Sequence, residues 1–227
     1  MAALNSRLLS AASFVRQDAV LADIGTDHAY LPLFLLGEGK IKKAFLTDIN
    51  EGPLASAREN AERLALSDKC EFRLTGGAIG LDGLGITDYS VCGMGGELIA
   101  DIIGASAHLF DPSLRLILQP MTKQEHLRSY LWSHGFEIIS EAYSREGEKL
   151  YVCFLVRYTG ECRELSSFES FVGAKTSKIV NSDLQKVYLS SKIKALRRAA
   201  QGKESADINS DFELGLADMI AAFADGL

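Results

Sequence analysis

Carboxylates and glycines follow two short apolar runs near the start of the chain. The stretch ADIGTDHAYLP places Asp23 and Gly25 at the end of the first run, with Asp27 and His28 immediately beyond. The second run ends at Asp48. A glycine after a strand lets the backbone approach a ligand closely, whereas carboxylates attract a cation or accept hydrogen bonds from hydroxyl groups. These residue types could form catalytic machinery, a metal site or a loop that holds a small cofactor.

Three further apolar runs also end in residues that suit a ligand-binding edge. The third run ends at Gly76 and Gly77, the fourth in the stretch CGMGG (92–96) and the fifth at Gln119 and Pro120. A glycine after a single strand usually marks a plain turn. Five marked strand ends on one edge of a sheet indicate a binding site more strongly than any one of them.

The elements that must position these residues alternate between apolar strands and amphipathic helices. Strands are predicted at 19–25, 43–50, 70–77, 89–96 and 114–120, helices at 4–16, 29–39, 52–66, 97–106 and 122–135, and a β-hairpin at 136–158. Alternation over ~30 residues is typical of βαβ units. The sequence therefore predicts an α/β fold with a doubly wound, mostly parallel, Rossmann-like sheet that ends in an antiparallel hairpin. Ligands of such sheets bind at the carboxyl ends of the strands, near the switch in strand order.

The pattern changes after this hairpin, which predicts a first domain at 1–158 and a small all-α domain at 159–227. The segment 184–200 lacks glycine and proline and is expected to be helical. Ser210 and Glu213 have the spacing of a capping box at the start of a last helix. We expect the two helices to form an antiparallel, coiled-coil-like hairpin.

Positive charge is concentrated in this second part of an otherwise acidic chain. The formal net charge is −6, yet residues 175–203 contain eight lysines and arginines and one acid, Asp183. Such a segment is either a helix face exposed to solvent or a surface that binds the phosphates of a nucleic acid. The predicted helix has two apolar stripes along its surface. A third side, between these stripes, carries Lys186, Lys194 and Arg197.

Composition argues against several other classes of protein. The four cysteines show no CxxC spacing and the four histidines no metal-ligand pattern, so we expect reduced thiols and no metal. No apolar run approaches the ~20 residues of a membrane helix. We interpret the N-terminus as an amphipathic helix rather than a signal peptide, and expect a cytoplasmic location without membrane contact. A monomer is favoured.

The first loop distinguishes between two nucleoside cofactors. A dinucleotide requires G-x-G-x-x-G for its pyrophosphate, but this loop reads GTDHA, with Asp27 at the second glycine position. A carboxylate repels a pyrophosphate and suits a cation. S-adenosylmethionine carries an amine and a sulfonium, and an acid such as Asp48 could accept both ribose hydroxyls. The residues therefore argue against NAD and for S-adenosylmethionine.

The motifs DIGTDHAYLP, CGMGGELI and LILQP, together with the early SRL (6–8), resemble a class I methyltransferase. More narrowly, they resemble the bacterial tRNA adenine-22 N1-methyltransferases, the TrmK family. The resemblance runs over nearly the whole chain and includes the helical extension. It implies methyl transfer from S-adenosylmethionine to N1 of an adenine in tRNA, with the base extruded into a pocket.

The resemblance also implies roles for individual residues. Those expected to contact the cofactor are Asp23, Gly25, Asp27, Asp48, Gly77, Ala78, Gly93, Met94 and Gly95. Those expected at the target base or the RNA are Arg7, Gln119, Pro120, Lys186, Lys194 and Arg197. Apart from the resemblance, Tyr30 or another aromatic residue at the rim of the pocket could offset part of the cost of unstacking the base. Gly77 departs from the family pattern, because class I enzymes usually place a polar side chain there for the adenine amine. Only the backbone groups of Gly77 and Ala78 are left for that contact.

Catalytic residues follow less directly from the sequence. N1 of adenine has its own lone pair, so alignment and desolvation suffice and no strong base is required. Asp27, His28 and Gln119 are the candidates. Asp27 could instead orient the cofactor, and His28 could be a hydrogen-bonding loop residue. The apolar surroundings of Cys92 favour a packing role for its thiol over a role as a nucleophile.

Two rival functions stay open at this point. The chain could methylate a small molecule or a protein, with the helical tail as a dimer or lid element. It could also be a non-catalytic nucleotide-binding module. Methyl turnover on RNA, and loss of RNA affinity when the basic helix is reversed in charge, distinguish these alternatives.

Overall fold

Eight strands form one sheet in the computed structural model, which describes residues 4–227. The strands are β1 (Ala19–Ile24), β2 (Ile41–Asp48), β3 (Cys70–Leu74), β4 (Asp88–Gly95), β5 (Arg115–Thr122), β6 (Phe136–Glu146), β7 (Lys149–Tyr158) and β8 (Lys178–Val180). Their order across the sheet is β3-β2-β1-β4-β5-β7-β6-β8. The first five pair in parallel, whereas β7 runs antiparallel to both β5 and β6. The predicted doubly wound sheet with a terminal hairpin is therefore confirmed.

Eight α-helices accompany these strands in the described part of the chain. They are α1 (Ser6–Phe14), α2 (Tyr30–Gly37), α3 (Glu51–Arg63), α4 (Gly96–Gly104), α5 (Gln124–Ser133), α6 (Ser167–Val172), α7 (Ser182–Ser205) and α8 (Asp211–Asp225). Helices α2 to α5 each follow one of the strands β1, β2, β4 and β5, as the alternating pattern predicts.

Both faces of the sheet are covered by apolar side chains. Along β1, Ala22 and Ile24 join one hydrophobic cluster, while Ala19 and Leu21 join the other. Successive residues of a strand point to opposite faces, so a strand buried on both sides is apolar without alternation. This explains why the strands appear in the sequence as continuous apolar runs.

The chain beyond Tyr158 is helical but also returns to the sheet. After α6, the short strand β8 pairs in parallel with β6 at the sheet edge. The sequence did not predict this strand. Helices α7 and α8 then pack against each other, as expected for a helical hairpin. The division at residue 158 into two domains stays a prediction.

The prediction of a capping box between Ser210 and Glu213 is wrong. Ser210 Oγ donates a hydrogen bond to Glu204 Oε1 at 2.8 Å, and Glu213 is engaged by Lys203 at 2.6 Å. A capping box does form at the start of α6, between Ser166 and Glu169. Local spacing alone cannot decide which Ser-x-x-Glu closes on itself, because tertiary partners compete for both side chains.

A fully buried ion pair joins α5 to β6, and its arginine also binds the backbone of α6. Arg128 on α5 donates from Nε and Nη2 to the two carboxylate oxygens of Glu141 on β6, at 2.9 and 2.7 Å. Tyr143 donates to the same carboxylate at 2.8 Å, and Arg128 Nη1 donates to the Ser170 carbonyl at 2.9 Å. Because every partner is buried, loss of one would leave an uncompensated charge.

Candidate functional site

A cavity of about 470 Å³ lies at the carboxyl ends of β1, β2 and β4. The order of the strands reverses between β1 and β4, where an open α/β sheet forms its ligand crevice. Its volume falls in the usual range for small-molecule sites. The wall is formed by Asn5, Arg7, Leu8, Asp23, Gly25, Asp27, His28, Ala29, Tyr30, Leu31, Asp48, Cys92, Gly93 and Met94.

Asp23 is fixed at the base of this cavity by two hydroxyl groups. Its carboxylate accepts hydrogen bonds from Thr26 Oγ1 and Ser90 Oγ, both at 2.6 Å. Ser90 is its register partner on β4, so the pair bridges the two strands at the switch point. Burial raises the pKa of Asp23 above its ordinary value, against the opposing effect of the two hydrogen bonds. A cationic group bound beside it would favour its ionised form.

Gly25 turns the chain from β1 into the loop before α2. Its φ of +72° lies in the left-handed region that favours glycine. Its N–H donates to the Thr47 carbonyl at 2.8 Å, which holds the loop against the end of β2. The Met94 side chain lies over the glycine, so that a Cβ at this position would overlap Met94 Cε.

Asp27, His28 and Tyr30 form the mouth of the cavity. The Asp27 side chain is 77% exposed, and its Oδ1 lies 3.6 Å from His28 Nε2. The rings of His28 and Tyr30 lie with their centroids 5.2 Å apart at an angle of 32°. Tyr30 is half exposed, so this aromatic pair faces the solvent side of the opening.

Asp48 ends β2 at the adjoining part of the wall. Its Oδ1 accepts the Asn50 backbone N–H at 2.8 Å, which orients the carboxylate. This is the position at which the sequence predicts an acceptor for ribose hydroxyls. Asp23 and Asp48 therefore share one cavity, as the strand-end argument requires.

Gln119, Gly93 and Arg7 meet at the ends of β4 and β5. Gln119 is completely buried, and its Oε1 accepts from Arg7 Nη1 at 2.6 Å and from the Gly93 N–H at 3.1 Å. Its Nε2 donates to the Pro120 carbonyl at 3.1 Å. The amide orientation is thereby fixed. Arg7, which the resemblance placed at the RNA, lines the cavity itself.

Several predicted site residues are not part of the cavity wall. Gly77, Ala78, Gly95 and Pro120 are absent from the lining, and Ala78 and Pro120 are buried. The wall instead includes residues that the sequence did not single out, namely Asn5, Leu8, Ala29 and Leu31. Asn5 and Leu8 belong to the start of α1, whose place beside the cavity no local pattern indicated.

Cys92 lines the same cavity but is not suited to nucleophilic attack. Burial raises the pKa of its thiol well above the ordinary range, and the charge of Asp23 adds to this effect. A protonated thiol is a poor nucleophile. The geometry favours the packing interpretation of Cys92.

The basic residues of α7 divide into free and paired side chains. Lys186 and Lys194 are exposed and form no ion pair among the described residues. Arg197 pairs with Asp218 on α8 at 3.1 Å. Lys192 is turned inward, where it donates to Gln124 Oε1 at 2.7 Å and so connects α7 to the start of α5. Burial lowers the pKa of Lys192, against the opposing charge of Glu125.

Residues 4–227 include no cluster of three or more histidine, cysteine, aspartate or glutamate side chains that could hold a metal ion. Over the same range, none of the helices is long and apolar enough to cross a membrane.

Comparisons with known proteins place this geometry in a family. A curated relative, the tRNA (adenine(22)-N(1))-methyltransferase of Bacillus subtilis, is 35% identical over 149 residues, which are 65% of this chain and 62% of the relative. The chain thus spans less than two thirds of the length of this curated relative.

Solved structures agree over almost the full length. A Streptococcus pneumoniae protein in complex with S-adenosyl-L-methionine is 29% identical, has a TM-score of 0.82 and matches 96% of this chain and 99% of its own. TrmK of M. capricolum, in complex with S-adenosyl-homocysteine, is 26% identical with a TM-score of 0.79 over 98% of both chains. These matches confirm the resemblance seen in the motifs. The family model described as a methyltransferase domain matches residues 4–154, and the chain belongs to this family.

Proposed function

We propose that this protein transfers a methyl group from S-adenosylmethionine to N1 of an adenine in bacterial tRNA, at position 22. The observation that carries the proposal is the carboxylate-bearing cavity at the switch point, with Asp23 and Asp48 on neighbouring strands. The similarity to a B. subtilis enzyme named for this reaction supports the substrate. A tRNA substrate in turn implies action in the cytoplasm.

The residues present fit the cofactor. S-adenosylmethionine, when bound, supplies an electrophilic methyl group on a sulfonium. Asp48 would accept hydrogen bonds from the ribose hydroxyls. Asp23 and Asp27 would favour the positively charged end, Asp23 from a buried position fixed by two hydroxyl groups. Gly25, Gly93 and Met94 would approach the same part of the cofactor from the two sides of the cavity.

The protein's contribution to the chemistry is to align the cofactor and the base. Adenine N1 attacks with its own lone pair, so no residue must remove a proton first. Asp27 and His28 lie at the exposed mouth, where they can orient a base that enters. Gln119 is buried behind Gly93, so we assign it to positioning rather than to contact with the base.

The target adenine must leave its stack before it can reach the methyl group, which costs a few kcal/mol. The half-exposed Tyr30, with His28 beside it, offers an aromatic face at the opening that offsets part of this cost. The free lysines of α7, Lys186 and Lys194, would attract the phosphates of the RNA.

The substrate class is tested by incubating the protein with labelled S-adenosylmethionine and, in parallel, unmodified bacterial tRNA, a protein extract and a metabolite extract. We expect label in the tRNA fraction only. Label in protein or in a small molecule would support the rival methyltransferases, and absence of turnover in all fractions would support a non-catalytic binding module.

A further inference from the structure

Arg7 is the one arginine or lysine in the wall of the cavity, as far as residues 4–227 show. The same wall carries three carboxylates, those of Asp23, Asp27 and Asp48. An arginine in an acidic cavity would ordinarily pair with a carboxylate, yet none of the described carboxylates lies within ion-pair distance of its guanidinium. Its charge is therefore available to a ligand.

The guanidinium is held in place from behind. Gln119 Oε1 accepts from Nη1 at 2.6 Å, and Gln119 itself is fixed by the Gly93 N–H and the Pro120 carbonyl. The backbone of Arg7 is fixed as well, because its N–H donates to Glu146 Oε1 at 2.9 Å. A guanidinium has five N–H donors, so the contact with Gln119 leaves donors free to form a planar pair with an acceptor.

The Arg7 guanidinium lies at the end of the cavity that β1 and β4 form. Its Nη1 lies 3.5 Å from the point that a Cβ at Gly93 would occupy. Gly93 lies in the last part of β4, which neighbours β1 at the switch point, where Asp23 and Gly25 lie. Arg7 and Asp23 both act on the thiol of Cys92, Arg7 lowering and Asp23 raising its pKa, which places the two charges around the same side chain.

A cation and an anion on the same end of a cavity suit a ligand that carries both charges. The amino-acid end of S-adenosylmethionine is such a group, with one ammonium and one carboxylate. The carboxylate of Asp23 can pair with the ammonium group of the ligand. The three acids of the wall cannot pair with the ligand's carboxylate, which needs a cationic partner. We propose that Arg7 binds the carboxylate of the cofactor, and that Gln119 is the residue that positions Arg7.

This inference rests on the proposed cofactor but not on the proposed RNA substrate. The competing role for Arg7 is a contact with a phosphate of the RNA, which would leave cofactor binding unchanged. Because the two roles concern different ligands, binding measurements with the cofactor product alone can separate them.

Calorimetry with two ligands tests the inference. One ligand is S-adenosylhomocysteine, and the other is its decarboxylated analogue, S-adenosyl-3-thiopropylamine, which retains the ammonium. The variants are Arg7→Met and Arg7→Lys, with Arg145→Met as a control because Arg145 lies outside the cavity wall. Thermal melts of all variants check that the fold is retained.

We expect Arg7→Met to weaken binding of S-adenosylhomocysteine by about tenfold or more, the usual effect of losing a hydrogen bond to a charged group. Binding of the decarboxylated analogue should change by less than about twofold, so that the preference of the wild type for the carboxylate disappears. Arg7→Lys should retain part of that preference, and Arg145→Met all of it.

Equal weakening of both ligands would overturn the inference, because it would indicate a structural role for Arg7. Unchanged binding of both ligands by Arg7→Met, with reduced affinity for tRNA, would overturn it in favour of a phosphate contact. If the wild type binds S-adenosylhomocysteine normally in either case, the proposed function still stands. A wild type that binds neither ligand would overturn both proposals.

Discussion

The Met94 side chain lies directly over Gly25; Met94 stands near the end of β4, and Gly25 directly follows β1. Two features of the structure require a glycine at position 25. Its φ of +72° is unfavourable for residues with a Cβ, and the space where a Cβ would stand is filled by the Met94 methyl group. The contact joins the two sides of the cavity where the cofactor is proposed to bind.

Gly25→Ala is therefore expected to weaken S-adenosylhomocysteine binding by about tenfold or more, since the new methyl group and the displaced Met94 would narrow the cavity. Calorimetry measures this effect. Gly39→Ala is a matched control, because Gly39 has φ +66° but open space around it. Both variants should lose about 1 kcal/mol of stability from the backbone conformation. Equal binding by the two variants would contradict this account of Gly25.

Binding of the cofactor should depend on the ionisation of Asp23. Burial raises the pKa of this carboxyl in the folded protein, so it takes up a proton at a higher pH than in the unfolded chain. The stability gained from that proton is present below the unfolded pKa and is lost as the pH rises through the folded pKa. A bound ammonium reverses this preference, because it favours the ionised carboxylate.

We therefore expect the affinity for S-adenosylhomocysteine to fall as the pH is lowered through the raised pKa of Asp23. Asp23→Asn should bind more weakly at the higher pH and show a flatter pH profile, measured by calorimetry. A variant that keeps the wild-type pH profile would assign the dependence to another group.

The exposed lysines of α7 should contribute to tRNA affinity and not to cofactor affinity. Reversal of both charges, in Lys186→Glu/Lys194→Glu, is expected to reduce tRNA binding by about tenfold or more and to lower the slope of log affinity against log salt by about 2. Filter binding over a salt series measures both quantities.

The control for this prediction is Arg63→Glu/Lys69→Glu, which changes the net charge equally at the β3 edge of the sheet, far along the strand order from β8. A similar loss in both double variants would indicate a general charge effect rather than a docking face. Arg197 is a poorer probe, because its pair with Asp218 already offsets its charge.

The Arg128–Glu141 pair should contribute to stability through the cost of leaving one charge alone. Arg128→Met is expected to lower the free energy of unfolding by about 3–5 kcal/mol, measured by urea denaturation. The double variant Arg128→Met/Glu141→Gln should lose less than the single one, because no buried charge is then uncompensated. A double variant less stable than Arg128→Met would contradict this explanation.

The sheet and its ligand edge could be predicted because their signals are local. Each strand is an apolar run, and the residues that end it, such as Asp23 and Asp48, are brought to one edge by parallel pairing alone. No knowledge of distant contacts is needed to place them together. The helical hairpin at the end of the chain follows in the same way from periodicity.

The rest depends on contacts between residues far apart in the chain. Arg7 and Gln119 are 112 positions apart, and although the resemblance places both near the substrate, no local pattern indicates the hydrogen bond between them. The three-residue strand β8 exists because β6 offers it a free edge, not because of its own composition. The Ser166 and Ser210 patterns look alike in sequence, and only the partners Glu204 and Lys203 decide which one forms a capping box.

The most direct measurement of the central claim is the identity of the methylated nucleoside and its place in the tRNA. Unmodified tRNA transcripts with adenine at position 22, and matched transcripts with guanine there, are incubated with labelled S-adenosylmethionine, digested and separated. The account predicts label in 1-methyladenosine from the first transcript and none from the second. Label in another nucleoside, or equal labelling of both transcripts, would contradict it.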